Sequence, residues 1–158
     1  MTTAGTLQAP RGRFFALLAV CLVLLVAAPV QAGPTASTGI SPMQALQQAH
    51  WVAEGSTHPT HVLYTFVDAN CPYCHTLWLA LQTYQHDGLQ VRNILVGVIS
   101  ASSPGKAAAI FSARDPAAAW RENEERWGSR SDGGGGIAPL AVISARDRAA
   151  IQNNEILM

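Results

Sequence analysis

The stretch that most constrains the fold is a β-branched, aromatic run from His61 to Val67 that breaks at Asp68-Ala69-Asn70. It leads directly into Cys71-Pro72-Tyr73-Cys74-His75. The run has the composition of a largely buried strand. From Pro72 onward, Leu77, Trp78, Leu81 and Tyr84 recur at helical spacing, with Gly88 near the stop. The two cysteines therefore sit where a strand hands over to a helix. A second apolar run, Val91 to Ser100, has the character of a central strand. Helices are expected from Ser103-Pro104 through Phe111, and from Asp115-Pro116 to Gly128 with Trp120 and Trp127 on one face. Strand, helix, strand, helix predicts a parallel βαβ unit with a right-handed crossover.

The N-terminus sets the compartment. Arg11 and Arg13 precede an apolar run from Phe14 to Ala28, followed by Pro29 and the small-residue pattern Val30-Gln31-Ala32. This is the layout of a cleavable secretory signal peptide over residues 1–32. The run falls short of the ~20 residues that span a bilayer, which makes an uncleaved anchor the weaker reading. Cys21 leaves with that peptide. A lipoprotein role for it is disfavoured by the bulky Val20 before it and the apolar core that continues after it.

All ten acidic residues but only eight of the ten basic ones lie beyond Ala32, so the exported part carries a net charge of −2. No basic stripe for nucleic acid is present. Residues 33–158 amount to one domain, given the usual ~100 to 150 residues. An exported chain with one cysteine pair spaced by two residues is no disulfide-stapled scaffold, since so short a loop constrains the unfolded chain little. The pair is expected to be chemical rather than structural.

Residues 33–55 are expected to form a Gly/Pro/Ser/Thr-rich flexible lead followed by a helix. Ser41 and Gln44 make its capping box, Pro42 its first position, and Leu46, Ala49, Val52 and Ala53 its apolar face up to Gly55. The domain proper is expected over residues 56–158. Ser129 to Gly136, with four consecutive glycines, reads as a mobile loop. Ala138 to Ile143 is short and ambiguous, and Ser144 with Asp147 caps a last helix carrying Ala150, Ile151 and Leu157.

The Cys-x-x-Cys-His segment admits a dithiol/disulfide redox centre or attachment of a c-type haem. A redox centre requires the first cysteine to reach its thiolate from an ordinary pKa of ~8.5. A helix start supplies unpaired N–H groups and the positive end of the macrodipole. Cys71 is then the nucleophile and Cys74, one turn on, the resolving thiol. A haem needs an apolar pocket and normally a second axial ligand. Met43 and Met158, the methionines beyond the signal segment, fall at the edges of the fold. Zinc is disfavoured because Cys71, Cys74 and His75 crowd too closely for one tetrahedron and no second Cys/His pair exists.

The residues around this motif resemble a known family. Phe66 through His75, Ile94-Leu95-Val96-Gly97-Val98-Ile99, Ser103-Pro104, Ala113-Arg114-Asp115-Pro116-Ala117, Trp120 and Asn154 through Met158 look like the catalytic domain of the DsbC/DsbG periplasmic disulfide isomerases. The Cys-Pro-Tyr-Cys form and Leu-Val-Gly-Val-Ile are nearest to DsbG. Leu46 to Gly55 resembles that family's linker helix.

The resemblance implies an α/β, thioredoxin-like fold with a helical insertion, and Cys71 and Cys74 as the redox-active pair without cofactor or metal. It implies unfolded or misoxidised exported proteins as substrates, and a membrane-bound thiol electron donor where the pair must be kept reduced. The family's N-terminal dimerisation domain has no counterpart here, so homodimerisation through it is not expected. The family's C-terminal cis-proline loop, hairpin and last helix are not recognisable either. The sheet is accordingly expected to be incomplete, with an exposed edge and core surface.

Pro72 and Tyr73 set the character of the motif, and His75 and Asp68 are its candidate modulators. A cation at His75 would favour a thiolate, and Asp68 would be either a proton acceptor near Cys74 or the terminal turn residue of the strand. His50, His58, His61 and His86 read as scattered. Trp120 and Trp127 read as core, and Glu122, Glu124 and Glu125 as a solvated helix surface. A non-catalytic, chaperone-like remnant of such a fold is the alternative function, with a c-type haem protein after it.

Overall fold

The computed structural model describes residues 39–158. The signal peptide and most of the flexible lead expected from the sequence lie outside the described residues. Helix α1 spans Pro42–Gln48, and strands β1 and β2 cover Trp51–Gly55 and His61–Asp68. Helix α2, Pro72–Gln85, leads to β3, Leu89–Val96, and helices α3 (Ser103–Phe111), α4 (Pro116–Glu125) and α5 (Ala145–Leu157) follow.

The strands form one sheet in the order β1-β3-β2. β2 and β3 are parallel, with Phe66 opposite Ile94, so β2-α2-β3 is the βαβ unit read from the sequence. β1 runs antiparallel to β3, Val52 opposite Asn93. Among the described residues the outer edge of β2 has no strand partner, and Val62 and Leu63 on it are exposed.

The helix expected to run up to Gly55 ends already at Gln48. The capping box is as read: Gln44 N–H donates to Ser41 Oγ (3.2 Å), and Ser41 N–H donates to Gln44 Oε1 (2.8 Å). The chain then turns extended at Ala49. Asn154 of α5 grips the break, accepting from His50 N–H (3.0 Å) and donating to His50 O (2.8 Å) and Leu95 O (2.9 Å). In β1 the inward positions are Val52 and Glu54. A carboxylate, Glu54, at one of the two buried positions hides the strand period of two, so that Leu46, Ala49, Val52 and Ala53 present a helical pattern.

The core lies between the sheet and α3, α4 and α5. Val52, Val67, Leu95, Ala107, Ile110, Trp120 and Ile151 are all buried in it. α2 buries no residue completely. Cys74 and Trp78 pack on the core, while Leu77, Leu79 and Tyr84 remain exposed. β3 ends at Val96, before Gly97, where a side chain would overlap Pro104.

The glycine end of the segment expected to be a mobile loop, Gly134 to Gly136, is instead packed, while Ser129 and Ser131 to Gly133 are exposed. Gly135 N–H donates to Ala69 O (2.9 Å), Gly136 N–H to Asn123 O (2.8 Å) and Gly128 N–H to Gly134 O (2.8 Å). A Cβ at Gly134 would run into Asn70, and one at Gly135 into the Asn123 amide. Gly134, Gly135 and Gly136 are required because the chain threads between the residue before Cys71 and helix α4 and its extension, a demand of close approach rather than of flexibility, while Gly133 supplies a positive φ of 78° in open space. Ala138 to Ile143 forms no strand, and Leu140 N–H donates to Gly105 O (3.1 Å) on α3.

Candidate active site

Cys71 is the N-cap of α2, with extended backbone (φ −85°, ψ 113°) and Pro72 in the first turn. Its Sγ accepts the Cys74 backbone N–H at 3.2 Å, and its carbonyl accepts His75 N–H at 3.1 Å. The sulfur therefore occupies the place of an N-cap oxygen, where an otherwise orphaned helix donor is aimed at it. Both cysteines are half-buried free thiols. Burial pushes the Cys74 thiol up to about 12, with further upward contributions from the Cys71 sulfur and from Glu124, against a backbone hydrogen bond at Asp68. Tyr73, between them, is 84% exposed and projects outward, so it can meet a substrate but does not support the cysteines.

On the side where β2 ends, Asp68 is buried and its carboxylate is saturated. Oδ1 accepts Asn70 N–H (2.9 Å) and the Ser103 hydroxyl (2.7 Å), and Oδ2 accepts the backbone N–H groups of Val98 (2.8 Å) and Ile99 (3.0 Å). Four donors leave it as a clamp on the loop after β3. Of the two roles read for Asp68, the geometry favours the turn residue. Asn70 Nδ2 lies within 2.8–3.0 Å of the hydroxyls of Ser100, Ser102 and Ser103, and Asn70 Oδ1 accepts from Lys106 Nζ (2.7 Å). Lys106 is fully buried and also donates to Gly133 O (2.7 Å) and Gly135 O (2.8 Å), with Asp132 at 3.3 Å.

On the side of the second cysteine, His75 Nδ1 lies 2.9 Å from Glu124 Oε2 on α4. The His75 ring stacks on Trp127 at 4.6 Å between centroids and 12° between planes. Glu124 is buried, not solvated as its sequence neighbours suggested; Glu122 and Glu125 do face water. Burial pushes the Glu124 carboxyl above its ordinary range, and hydrogen bonds from His75 and Asn123 oppose the shift. Asn123 Nδ2 bridges Glu124 Oε1 (3.0 Å) and Ala69 O (3.1 Å). Positions 120, 123, 124 and 127 fall on one helical face. The Trp120/Trp127 spacing that marked this face therefore carried Glu124 with it.

A second buried acid also went unread. Glu54 on β1 accepts the Trp78 Nε1–H (3.1 Å to Oε2) and Asn93 Nδ2 (3.3 Å), and Thr65 Oγ1 donates to Asn93 Oδ1 (3.0 Å). Burial raises its carboxyl, against hydrogen bonds and the Arg121 guanidinium 3.9 Å away. The Trp120 indole N–H also faces this carboxyl but is buried without a well-formed hydrogen bond. Thr65, Asn93, Trp78, Trp120 and Cys74 line one small cavity beneath the motif. Of the remaining histidines, His50 packs edge-on against Phe111, away from the cysteines.

Two curated proteins match this sequence closely enough to place it. The thiol:disulfide interchange protein DsbG of Escherichia coli is 34% identical over 124 residues, which are 78% of this chain and 48% of that protein. DsbG of Pseudomonas aeruginosa is 35% identical over 116 residues, 73% of this chain and 43% of that protein. The chain is a relative of the DsbG thiol:disulfide interchange proteins. It spans about half the length of these relatives. No family model matches it.

The fold is thioredoxin-like. A periplasmic thioredoxin-like protein from Salmonella enterica serovar Typhimurium superimposes with a TM-score of 0.50 at 18% identity, over 75% of this chain and 78% of that one. The catalytic domain of Proteus mirabilis ScsC does so with a TM-score of 0.54 at 21% identity, over 73% of each chain. The α/β, thioredoxin-like architecture expected from the sequence is thus the observed one.

Proposed function

We propose that this DsbG relative carries out thiol:disulfide interchange on exported proteins in the periplasm, through Cys71 and Cys74. The observation that carries the reading is the placement of Cys71 Sγ at the start of α2 with the Cys74 N–H on it at 3.2 Å. Cys74 lies half-buried one turn behind. The Cys71 thiolate attacks a substrate disulfide, forming a mixed disulfide and releasing one substrate sulfur as thiolate.

Two exits follow. A second substrate thiolate can attack the substrate sulfur of the mixed disulfide, which rearranges the substrate and returns Cys71 with no net electron transfer. Alternatively Cys74, having given up its proton, attacks Cys71 Sγ. The substrate then leaves as a dithiol and two electrons have passed to it, leaving Cys71–Cys74 oxidised. Sustained reduction or isomerisation requires a membrane-bound thiol donor to restore the pair. His75 acts as a modulator from the position after Cys74, Pro72 fixes the helix start, and Tyr73 offers an exposed aromatic contact. Asp68 holds the loop that supports them.

Replacing Cys71 with serine abolishes turnover of an insulin-reduction assay and of a scrambled-disulfide assay. Retained turnover in that variant overturns the proposal. A second reading, a chaperone-like holding module, is favoured by the uncovered apolar residues Leu77, Leu79 and Tyr84 on α2 and Val62 and Leu63 on the edge of β2. It predicts that Cys71→Ser still suppresses aggregation of an unfolded protein as well as the unaltered chain does.

A further inference from the structure

Glu124 is a buried carboxyl that the exchange chemistry above does not use, and its place is specific. Its Oε2 is 2.9 Å from Nδ1 of His75, the residue next to Cys74, and its Oε1 accepts from Asn123, whose amide also holds Ala69 O at the end of the turn before Cys71. Helix α4 thus presses one carboxyl against the first turn of α2, in a site that excludes water from Glu124. In such surroundings the field of a carboxylate acts on a neighbouring thiol with little screening.

The other charged and titratable groups facing Cys74 are few. Cys71 and His75 belong to α2 itself, and Asp68 at the end of β2 has its carboxylate saturated by four donors. Glu54 on β1 reaches the same cavity through Trp78 and Asn93, which line it, and is balanced by Arg121. Burial is the largest influence against a thiolate at Cys74 and the Cys71 sulfur adds to it; Glu124 is the carboxyl among these whose charge acts in the same direction.

We infer that Glu124 is a positioning residue for thiol exchange: its carboxylate, fixed by His75 and Asn123, adds to the burial that keeps Cys74 a thiol and so lengthens the life of the Cys71–substrate mixed disulfide. The chemistry balances as in the two exits given above. Resolution by Cys74 needs its proton to pass to water or to the released substrate thiolate, and Glu124 makes that loss harder. Rearrangement by a substrate thiolate needs no proton from Cys74. A slower Cys74 therefore shifts the partition from reduction of the substrate toward its isomerisation. The inference rests on the interchange function proposed for this site.

Glu124→Gln keeps the shape and the hydrogen bonds and removes the charge. In the Cys71→Ser full chain at fixed mildly alkaline pH, alkylation of Cys74 by iodoacetamide becomes about tenfold faster on adding Glu124→Gln, the size of one unit in thiol pKa. His75→Lys supplies a permanent cation against Glu124 and accelerates the same reaction about threefold. With both cysteines present, a glutathione mixed disulfide at Cys71 of the Glu124→Gln chain collapses faster by a similar factor, and the ratio of isomerisation to reduction falls. A merely structural role for Glu124 moves the thermal midpoint and leaves the alkylation rate per folded molecule unchanged. Alkylation within twofold of the parent, or slower, overturns the inference. Should Glu124→Gln not fold cooperatively, His75→Lys decides alone: acceleration supports the inference, while an unchanged or slower rate overturns it. Absence of any disulfide exchange by the unaltered chain would sink the proposed function instead, since the alkylation arms need no substrate.

Discussion

Two polar clusters flank the cysteine motif, and they are built on opposite terms. Ahead of Cys71, Lys106 meets three oxygens within 2.8 Å, and the Asp68 carboxylate meets four donors within 3.0 Å. Behind Cys74, the Glu124 carboxyl has one imidazole and one amide for company. Buried polar groups are tolerable when fully satisfied, and a saturated network fixes one geometry. A sparsely paired acid in low dielectric has its protonation at stake and imposes its charge on whatever titrates nearby. The first cluster therefore fixes where Cys71 stands, whereas the second adds to burial in setting how readily Cys74 gives up its proton. Structure and reactivity are divided between the two ends of a five-residue motif.

The comparison breaks first at Lys106. Replacing it with methionine keeps much of the stem volume and removes the cation, leaving Asn70 Oδ1 and Gly135 O buried without their donor and freeing the part-buried Gly133 O. Breaking a buried charged network on one side typically costs about 3–5 kcal/mol, a large share of the stability of a domain. Thermal and urea unfolding are expected to show that loss, and the glycine segment should become sensitive to protease. A variant within about 1 kcal/mol of the parent would show that the cluster is not what fixes this end.

A smaller loss is expected from Gly135→Ala. The new methyl group overlaps the Asn123 amide, so either the loop or the amide must move. Overpacking of this kind costs about 1–3 kcal/mol. Because Asn123 also holds Glu124, this variant is the one that couples the two clusters. Cys74 alkylation should change along with the unfolding midpoint, and a change in stability alone would show the ends to be independent.

Much of this arrangement was legible in residue order. The run His61 to Val67, the Pro at the first turn of α2, and the caps Ser41, Asp115 and Ser144 each state a local rule, and local rules survive into the fold. Trp120 and Trp127 correctly marked the inner face of α4 and its extension. What escaped was set by packing partners distant in sequence. Glu54 and Glu124 look like surface acids until Trp78, His75 and Asn123 supply donors to them. Trp51 to Gly55 looks helical until β3 offers a ladder and Asn154, 104 residues away from His50, holds the break. The glycine run signals flexibility only while its neighbours are unknown, because glycine serves close approach and mobility equally well. Lys106, within an alanine-rich helix, gives no sequence hint that it is the buried centre of a cluster.

The smallest expected effect concerns pH, and it separates Glu54 from Glu124. Burial raises both carboxyls above the ordinary value near 4.5. A folded-state pKa above the unfolded one means that the native chain holds protons more tightly, so each acid contributes stability that is fully present below the unfolded value. That stability is lost as pH rises through the folded value. Asp147 runs the other way. Its carboxyl is lowered, first by the Ser144 hydroxyl at 2.7 Å, so its contribution is present above the unfolded value and lost as pH falls through the folded one. Urea unfolding of Glu54→Gln, measured upward from about pH 4.5, should show a flatter decline than the parent while leaving Cys74 alkylation nearly unchanged, because Arg121 and Trp78 already balance that acid. Glu124→Gln should flatten the same curve and accelerate Cys74. If both substitutions accelerate Cys74 equally, the resolving thiol senses the total buried charge rather than the one carboxyl set beside His75, and the division of labour across the motif is lost.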